Sequence, residues 1–144
     1  MPVISITRLH LRSLRFVPMF SVYTLASALQ ARRSEGFLGG LVGSDAERGA
    51  WTMTAWRDDA AMRAYRNSGI HRRAMPRLLK WCDEASFAHW QQSDATLPAP
   101  DEAHRQMLAQ GRLSKVSYPS AAQAAGRTAP QAVPKTALRL APRR

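Results

Sequence analysis

WTMTAWRDDAAMRAYRNSGIHRRAM, residues 51–75, decides how this chain is read. Trp51, Met53 and Ala55 alternate with Thr52, Thr54 and Trp56, the period-two pattern of a strand. Asp58 then offers an N-cap carboxylate, and Asp59 a negative charge where the dipole of a starting helix favours one. Ser68-Gly69 interrupts that helix, which resumes over residues 70–82. On the wheel of the resumed helix His71 falls within the apolar stripe of Ile70, Ala74, Leu78 and Trp81, while Arg72, Arg73, Arg77 and Lys80 take the far side or its margins. An imidazole placed this way needs a partner if it is buried. Desolvation favours its neutral form, which can accept a proton or bind a metal.

Upstream, residues 3–11 are rich in β-branched side chains and read as a first strand. Residues 16–33 carry apolar positions at helical spacing, with Pro18 in the first turn and Arg32 and Arg33 at the cation-favouring end. Residues 36–43 form a second strand whose four glycines imply close backbone approach, bulging, or both, and residues 44–49 suit a hairpin loop. Downstream, residues 85–91 read as a fourth strand and 101–110 as a short helix. The order β-α-β-β-α-β is the ferredoxin-like α+β arrangement, a sheet with two helices on one face. Apolar residues on both parities of the strands mean that the second face is hidden too. A second subunit is the simplest cover, so a homodimer is expected, with the 101–110 helix packing on the partner.

The charge is +11, and it is unevenly placed: residues 111–144 hold seven of the 21 Lys and Arg and none of the ten acids. That segment shows no sustained apolar period and is expected to be a disordered basic tail, following a folded domain at 1–92 and a helical extension at 93–110. Its cations can attract polyanions but lack the clustering and interleaved aromatics of a specific nucleic-acid platform. Cys82 is the single cysteine, and His10, His71, His89 and His104 lack zinc spacing, which points to a reducing, cytoplasmic setting. Arg8, Arg12 and Arg15 precede an apolar run in an acid-free stretch, as in a signal peptide. Pro18, Ser21 and Tyr23 interrupt that run, however, and no segment approaches the roughly 20 apolar residues of a membrane span.

Chemistry is sparsely written. Paired carboxylates, a phosphate-cradling loop and a Gly-x-Ser-x-Gly elbow are absent, which removes hydrolase and kinase readings. Cys82 sits roughly 16 Å from His71 along the helix axis and reads as a packed hydrophobe. Trp51, Trp56, Tyr65, Phe87 and Trp90 offer an aromatic lining for a flat apolar ligand.

Thr7-Arg-Leu, Glu35-Gly-Phe-Leu-Gly-Gly and residues 52–71 together resemble the antibiotic biosynthesis monooxygenase superfamily of dimeric α+β barrels, over roughly residues 1–92. Within that superfamily the resemblance is closer to a bacterial family of unassigned function, and there is a fainter similarity to the spheroidene monooxygenase group. The superfamily includes cofactor-free oxygenases, haem-degrading enzymes and proteins without known catalysis. Its haem-degrading branch carries Asn, Trp and His in register with Thr7, Tyr65 and Met75, so none of the three matches. The resemblance implies a monooxygenase-like protein binding a hydrophobic or aromatic small molecule, without cofactor or with haem. His71 would be the base or iron ligand, with Met75 beside it as a cofactor contact. Thr7 and Tyr65 would be polar catalytic groups, and Trp51, Trp56 and Phe87 the substrate pocket. The competing reading is a non-catalytic homodimeric ligand-binding or interaction module that works through its dimer surface and basic tail.

Overall fold

The computed structural model describes residues 1–143. Strand β1 (Val3–Leu11) lies at the centre of a six-stranded antiparallel sheet of order β5-β4-β1-β3-β2-β6. A single 3-10 turn, Leu14–Phe16, leads into α1 (Val17–Arg33), then β2 (Phe37–Ser44), β3 (Ala50–Trp56), α2 (Asp59–Arg66), α3 (Gly69–Trp81) and β4 (Cys82–Gln91). This is the expected ferredoxin-like order, with the second helix divided where Ser68-Gly69 divides it. The Asp58 carboxylate caps α2 by accepting from the Ala61 N–H at 2.8 Å. Four further elements follow: α4 (Pro100–Gln110), β5 (Arg112–Leu113), α5 (Ala121–Ala124) and β6 (Lys135–Leu140).

Strand alternation sorts the core into two layers. Val3 and Trp56 face α1 and α2, where they pack with Ala31, Phe37, Ala61 and Met62. Ile4, Ile6, Trp51, Met53 and Ala55 face the other way. That second face is covered by the chain itself: Ala103 and Met107 of α4 and Ala129 are buried against it. The two-faced strands therefore no longer call for a second subunit, and α4 packs on its own sheet.

The expected disordered tail is corrected by the structure. Arg112 and Leu113 extend the sheet beyond β4, and Lys135–Leu140 extends it beyond β2. A Cβ on Gly43 would collide with the Lys135 carbonyl oxygen, so this β2 glycine allows the close approach of β6. Between the two strands, buried Gln123 donates to the Ser114 carbonyl at 2.8 Å and accepts from the Ala85 N–H at 3.2 Å. The Ser86 hydroxyl donates to the Thr128 carbonyl at 2.6 Å. The anchors are chiefly hydrogen bonds, ion pairs and small side chains, with Val116 packed against Cys82 and Ala85, so no apolar period marks them in the sequence.

The second face also encloses charge. Arg8, 2% exposed, donates through Nε to Asp45 at 2.6 Å and lies 3.6 Å from Glu84. Arg127 reaches in from the C-terminal segment to Glu84 and Glu47, each at 2.9 Å. Asp45 also accepts from Trp51 Nε1 at 2.8 Å and from the Gly49 N–H at 2.9 Å. Burial opposes its charge, but Arg8 and these donors together hold its carboxyl below the usual range.

Two predictions follow from this arrangement. Asp45→Ala leaves a buried guanidinium facing an empty site and should lower the unfolding free energy in urea titration by about 3–5 kcal/mol, the cost of stranding one partner of a buried pair. Truncation after Gly111 removes Arg127, Ala129 and β6 and should yield a protein that binds a hydrophobic dye strongly or fails to stay soluble. A well-behaved truncated protein with unchanged stability would contradict the anchoring of this segment.

Candidate functional site

The helix-facing side of the sheet is where the sequence-nominated residues meet. Trp56 ends β3 beneath α2, its ring stacked on Tyr65 with centroids 4.9 Å apart. Tyr65 in turn lies 4.8 Å from the ring of His71 in the first turn of α3. The break at Ser68-Gly69 makes this ladder possible, because it returns the chain so that a residue six positions after Tyr65 lies beside it. Trp56 is locked from below, its Nε1 donating to the Thr54 hydroxyl at 2.9 Å.

Helix α1 holds the ladder from above. The Tyr65 hydroxyl donates to the Ser27 carbonyl at 3.1 Å, and Gln30 Nε2 donates to the Tyr65 and Ser68 carbonyls. The His71 N–H donates to Gln30 Oε1 at 2.9 Å. With its hydroxyl bound to α1 and its acidity weakened by burial, Tyr65 stays protonated and offers the site its ring.

His71 is half-buried. Its Nδ1 lies 3.1 Å from the Arg66 carbonyl, which fixes Nδ1 as the donor and leaves the lone pair on Nε2. Burial lowers its pKa below the ordinary value; the hydrogen bond to the Arg66 carbonyl opposes that shift, and the charge of Arg66 adds to it. The site therefore holds a neutral imidazole with a basic nitrogen, on a surface otherwise crowded with arginine.

Thr7, Thr52 and Phe87 lie side by side across β1, β3 and β4 on this same face. All three remain partly exposed, and His89, stacked 6.2 Å from Phe87, is exposed. The helices thus leave the middle of the face open as a floor of threonines and aromatics. Thr7 is four residues along β1 from the row of Val3 and Trp56, about 13 Å at strand rise, so it belongs to this floor and does not touch the ladder. Met75, one turn after His71, is exposed on α3.

Trp51 is placed elsewhere. It lies on the opposite face of the sheet, bonded to Asp45, and cannot share a pocket with Trp56 and Phe87. The cavity beside it holds about 20 Å³, room for a single water. Cys82 is fully buried, its thiol pushed up to about 12 mainly by burial, as suits a packed hydrophobe.

A cluster that the sequence reading did not assemble sits where β1 meets β4: His10, Asp83 and Glu84 present ligand atoms within 4.8 Å of one another. His10 Nδ1 donates to Asp83 at 2.6 Å, and Glu84 already faces Arg8 and Arg127. Two guanidinium groups make this a neutralised ion network, a poor seat for a further cation. The only sequence signal was a histidine and an acidic pair near the ends of two adjacent strands.

The depressed pKa of His71 has a signed consequence. The unfolded chain takes up the proton first, so on acidification below about 6.5 the folded state loses stability until the folded pKa is passed. A proton NMR titration should give His71 a midpoint below that ordinary value, and His71→Gln should flatten this part of the stability profile. A midpoint at or above 6.5 would contradict the burial argument.

No family profile matches the chain, and no curated protein matches it. Solved structures do. SnoaB, a cofactor-independent oxygenase from Streptomyces nogalater, superposes with a TM-score of 0.54 at 15% identity, over 68% of this chain and 98% of its own. A conserved protein from Methanosarcina mazei Go1 gives 0.58 at 14% identity, over 65% and 94%. A protein described as an antibiotic biosynthesis monooxygenase gives 0.56 at 10% identity, over 64% and 99%. The chain is thus built on the α+β fold of the antibiotic biosynthesis monooxygenase-like proteins, the fold to which its own sequence pointed.

Proposed function

We propose that this protein is a monooxygenase-like enzyme that binds a hydrophobic or aromatic small molecule against the open, helix-facing side of its sheet. The observation that supports this reading is the ladder Trp56–Tyr65–His71, which holds a neutral imidazole on the same side of the sheet as Thr7, Thr52 and Phe87. A flat ligand lying on that floor would meet aromatic carbon and threonine hydroxyls. His71 would act as general base, taking a proton from an acidic O–H or C–H of the ligand through Nε2. The resulting electron-rich anion is the form of an aromatic substrate that gives electrons to dioxygen. Tyr65 positions the imidazole and Gln30 fixes the start of its helix.

Haem fits this site only in part. His71 Nε2 has the donor chemistry of an axial ligand, but Tyr65 packs against the imidazole and Trp56 against Tyr65, so the flat faces that could sandwich a macrocycle are engaged with one another. The haem-degrading positions hold Thr7, Tyr65 and Met75. The reading is therefore built on base chemistry by His71. A non-catalytic module acting through a free tail finds less support, because that segment is part of the sheet.

Oxygen uptake with dithranol, an anthrone with an acidic methylene, provides the test. The protein should accelerate uptake above the uncatalysed rate, with activity rising as His71 loses its proton. His71→Ala should lower the acceleration about 10²–10⁴-fold, the usual contribution of a general base, with an unchanged circular dichroism spectrum. A parallel haemin titration should show no saturable Soret shift. Acceleration retained in His71→Ala, or one-to-one haemin binding lost in that variant, would overturn the assignment of His71 as base.

A further inference from the structure

Helix α1 carries apolar residues on the side that its own fold does not use. Of its 17 residues only Ala31 is fully buried. Its inner flank, with Tyr23, Ser27 and Gln30, turns toward α3 and the aromatic ladder. On the outer side Met19, Val22, Leu25 and Leu29 are 49%, 59%, 63% and 42% exposed. Their spacing of three and four residues puts them on one face, so they form a continuous stripe about three turns long. Single exposed leucines are ordinary; an aligned row of four is informative.

The stripe is surrounded by positive charge. Residues 1–34 and 60–82, which include all of α1 and α3, contain no Asp or Glu. Arg15 precedes the stripe and Arg33 follows it, both exposed. The neighbouring helix α3 presents Arg72, Arg73, Arg77 and Lys80, all exposed, with Arg77 over the Tyr23 ring of α1. At the C-terminal end of α1, Arg32, Arg33 and Arg143 line an open depression of about 430 Å³.

We propose that α1 is a membrane-docking surface, on which the protein lies against an anionic lipid bilayer with the Met19–Leu29 stripe in the acyl boundary and the flanking arginines among the headgroup phosphates. An apolar row rimmed by cations and lacking acids is what an interfacial helix requires. Charge decides between occupants: a second copy docking through the same stripe would bring two arginine-rich rims together, with Glu35 the acid nearest each, whereas anionic lipid neutralises them. Nucleic acid would satisfy the arginines and leave the apolar row in water. Among the described residues no helix is long and apolar enough to cross a membrane, and α1 is held on its inner side by α3, so the surface rests on the bilayer without spanning it. The proposal stands on α1 and its rim and does not depend on the oxygenase reading.

Full-length protein would be sedimented with extruded vesicles of phosphatidylcholine alone and of phosphatidylcholine with 30% phosphatidylglycerol, next to size-exclusion chromatography with light scattering. Binding to the anionic vesicles and weak binding to the neutral ones are expected. Val22→Ser with Leu25→Ser leaves net charge and the C-terminal segment untouched and changes only exposed positions. It should reduce anionic-vesicle partitioning about tenfold or more, as expected for two apolar side chains withdrawn from the interface, with unchanged circular dichroism. Arg15→Gln with Arg33→Gln should reduce the preference for anionic over neutral vesicles. Equal partitioning of the double serine variant and the parent would assign binding to charge alone and overturn the proposal. A parent dimer that becomes monomeric in the serine variant, without vesicle binding, would give the stripe to a second copy and overturn it equally.

Discussion

A buried arginine on the central strand constrains most of this structure. Arg8 occupies a position on β1 that follows Ile4 and Ile6 and precedes His10 on the same face, and a guanidinium there is tolerable only if its charge is met. Asp45 meets it from the β2–β3 hairpin. The turn is shaped accordingly: Asp45 accepts from the Glu47 and Gly49 N–H groups, and a Cβ at Gly49 would collide with both Asp45 and Arg8. Trp51 is drawn to the same carboxylate and so is committed to this face. Glu84 comes from β4 on the other side, and Arg127 bridges it to Glu47. One interior charge thereby ties β1, the hairpin, β4 and the C-terminal segment into a single network.

The two faces of the sheet consequently have different tasks. The Arg8 face is closed by α4 and the residues that follow, through Ala103, Met107 and Ala129, and retains only water-sized space near Trp51. The other face is closed at both ends, by Val3, Phe37 and Trp56 under α1 and α2 and by Cys82, Ala85 and Val116 packed with Leu9, Leu11 and Leu79. Its middle, at Thr7, Thr52 and Phe87, stays partly accessible. Gln30 and Ser27 on α1 hold the ring of Tyr65 and the start of α3 on that same side of the sheet. Ligand chemistry and structural closure are thus segregated by strand parity.

Much of the fold was legible because it rests on local signals. Asp58 is the cap of α2, Ser68-Gly69 is the break, and the alternation through Trp51–Trp56 is a strand, each readable from a few adjacent residues. His71 was legible as an inward-turned imidazole from the helical period. Its partners were not, since Gln30 and the Arg66 carbonyl come from a distant helix and from backbone geometry. Aromatic content groups Trp51 and Trp56 as one lining, but five residues of strand put them on opposite faces. The C-terminal segment was missed for a different reason. Disorder was inferred from absent acids and absent apolar period, whereas Gln123, Ser86, Thr128 and Arg127 hold it through polar contacts that only the folded sheet presents.

The solved structures that share this fold superpose on about two thirds of the chain while being nearly fully covered themselves. That share is about the length of the run from β1 to β4. The residues after β4, with α4, β5, α5 and β6, are built onto the two sheet edges and the Arg8 face, and Val116 packs against Cys82 and Ala85. An appended segment held by loose apolar contacts could come and go. Here Arg127 lies between two carboxylates, one of them buried with Arg8, so removing the segment would leave Glu84 and the apolar face uncompensated together. The addition is therefore coupled to the core by charge as well as by area. It also extends both sheet edges, at β4 and at β2, with strands of the same chain. What the fold leaves partly exposed lies on the helical side: the Thr7, Thr52 and Phe87 floor in the middle of the face and the outer stripe of α1. Both adjoin the same helix, whose inner flank sets the imidazole and whose outer flank carries the unburied leucines. The chain's remaining surface chemistry is organised around α1 because the rest of the sheet has already been covered from within.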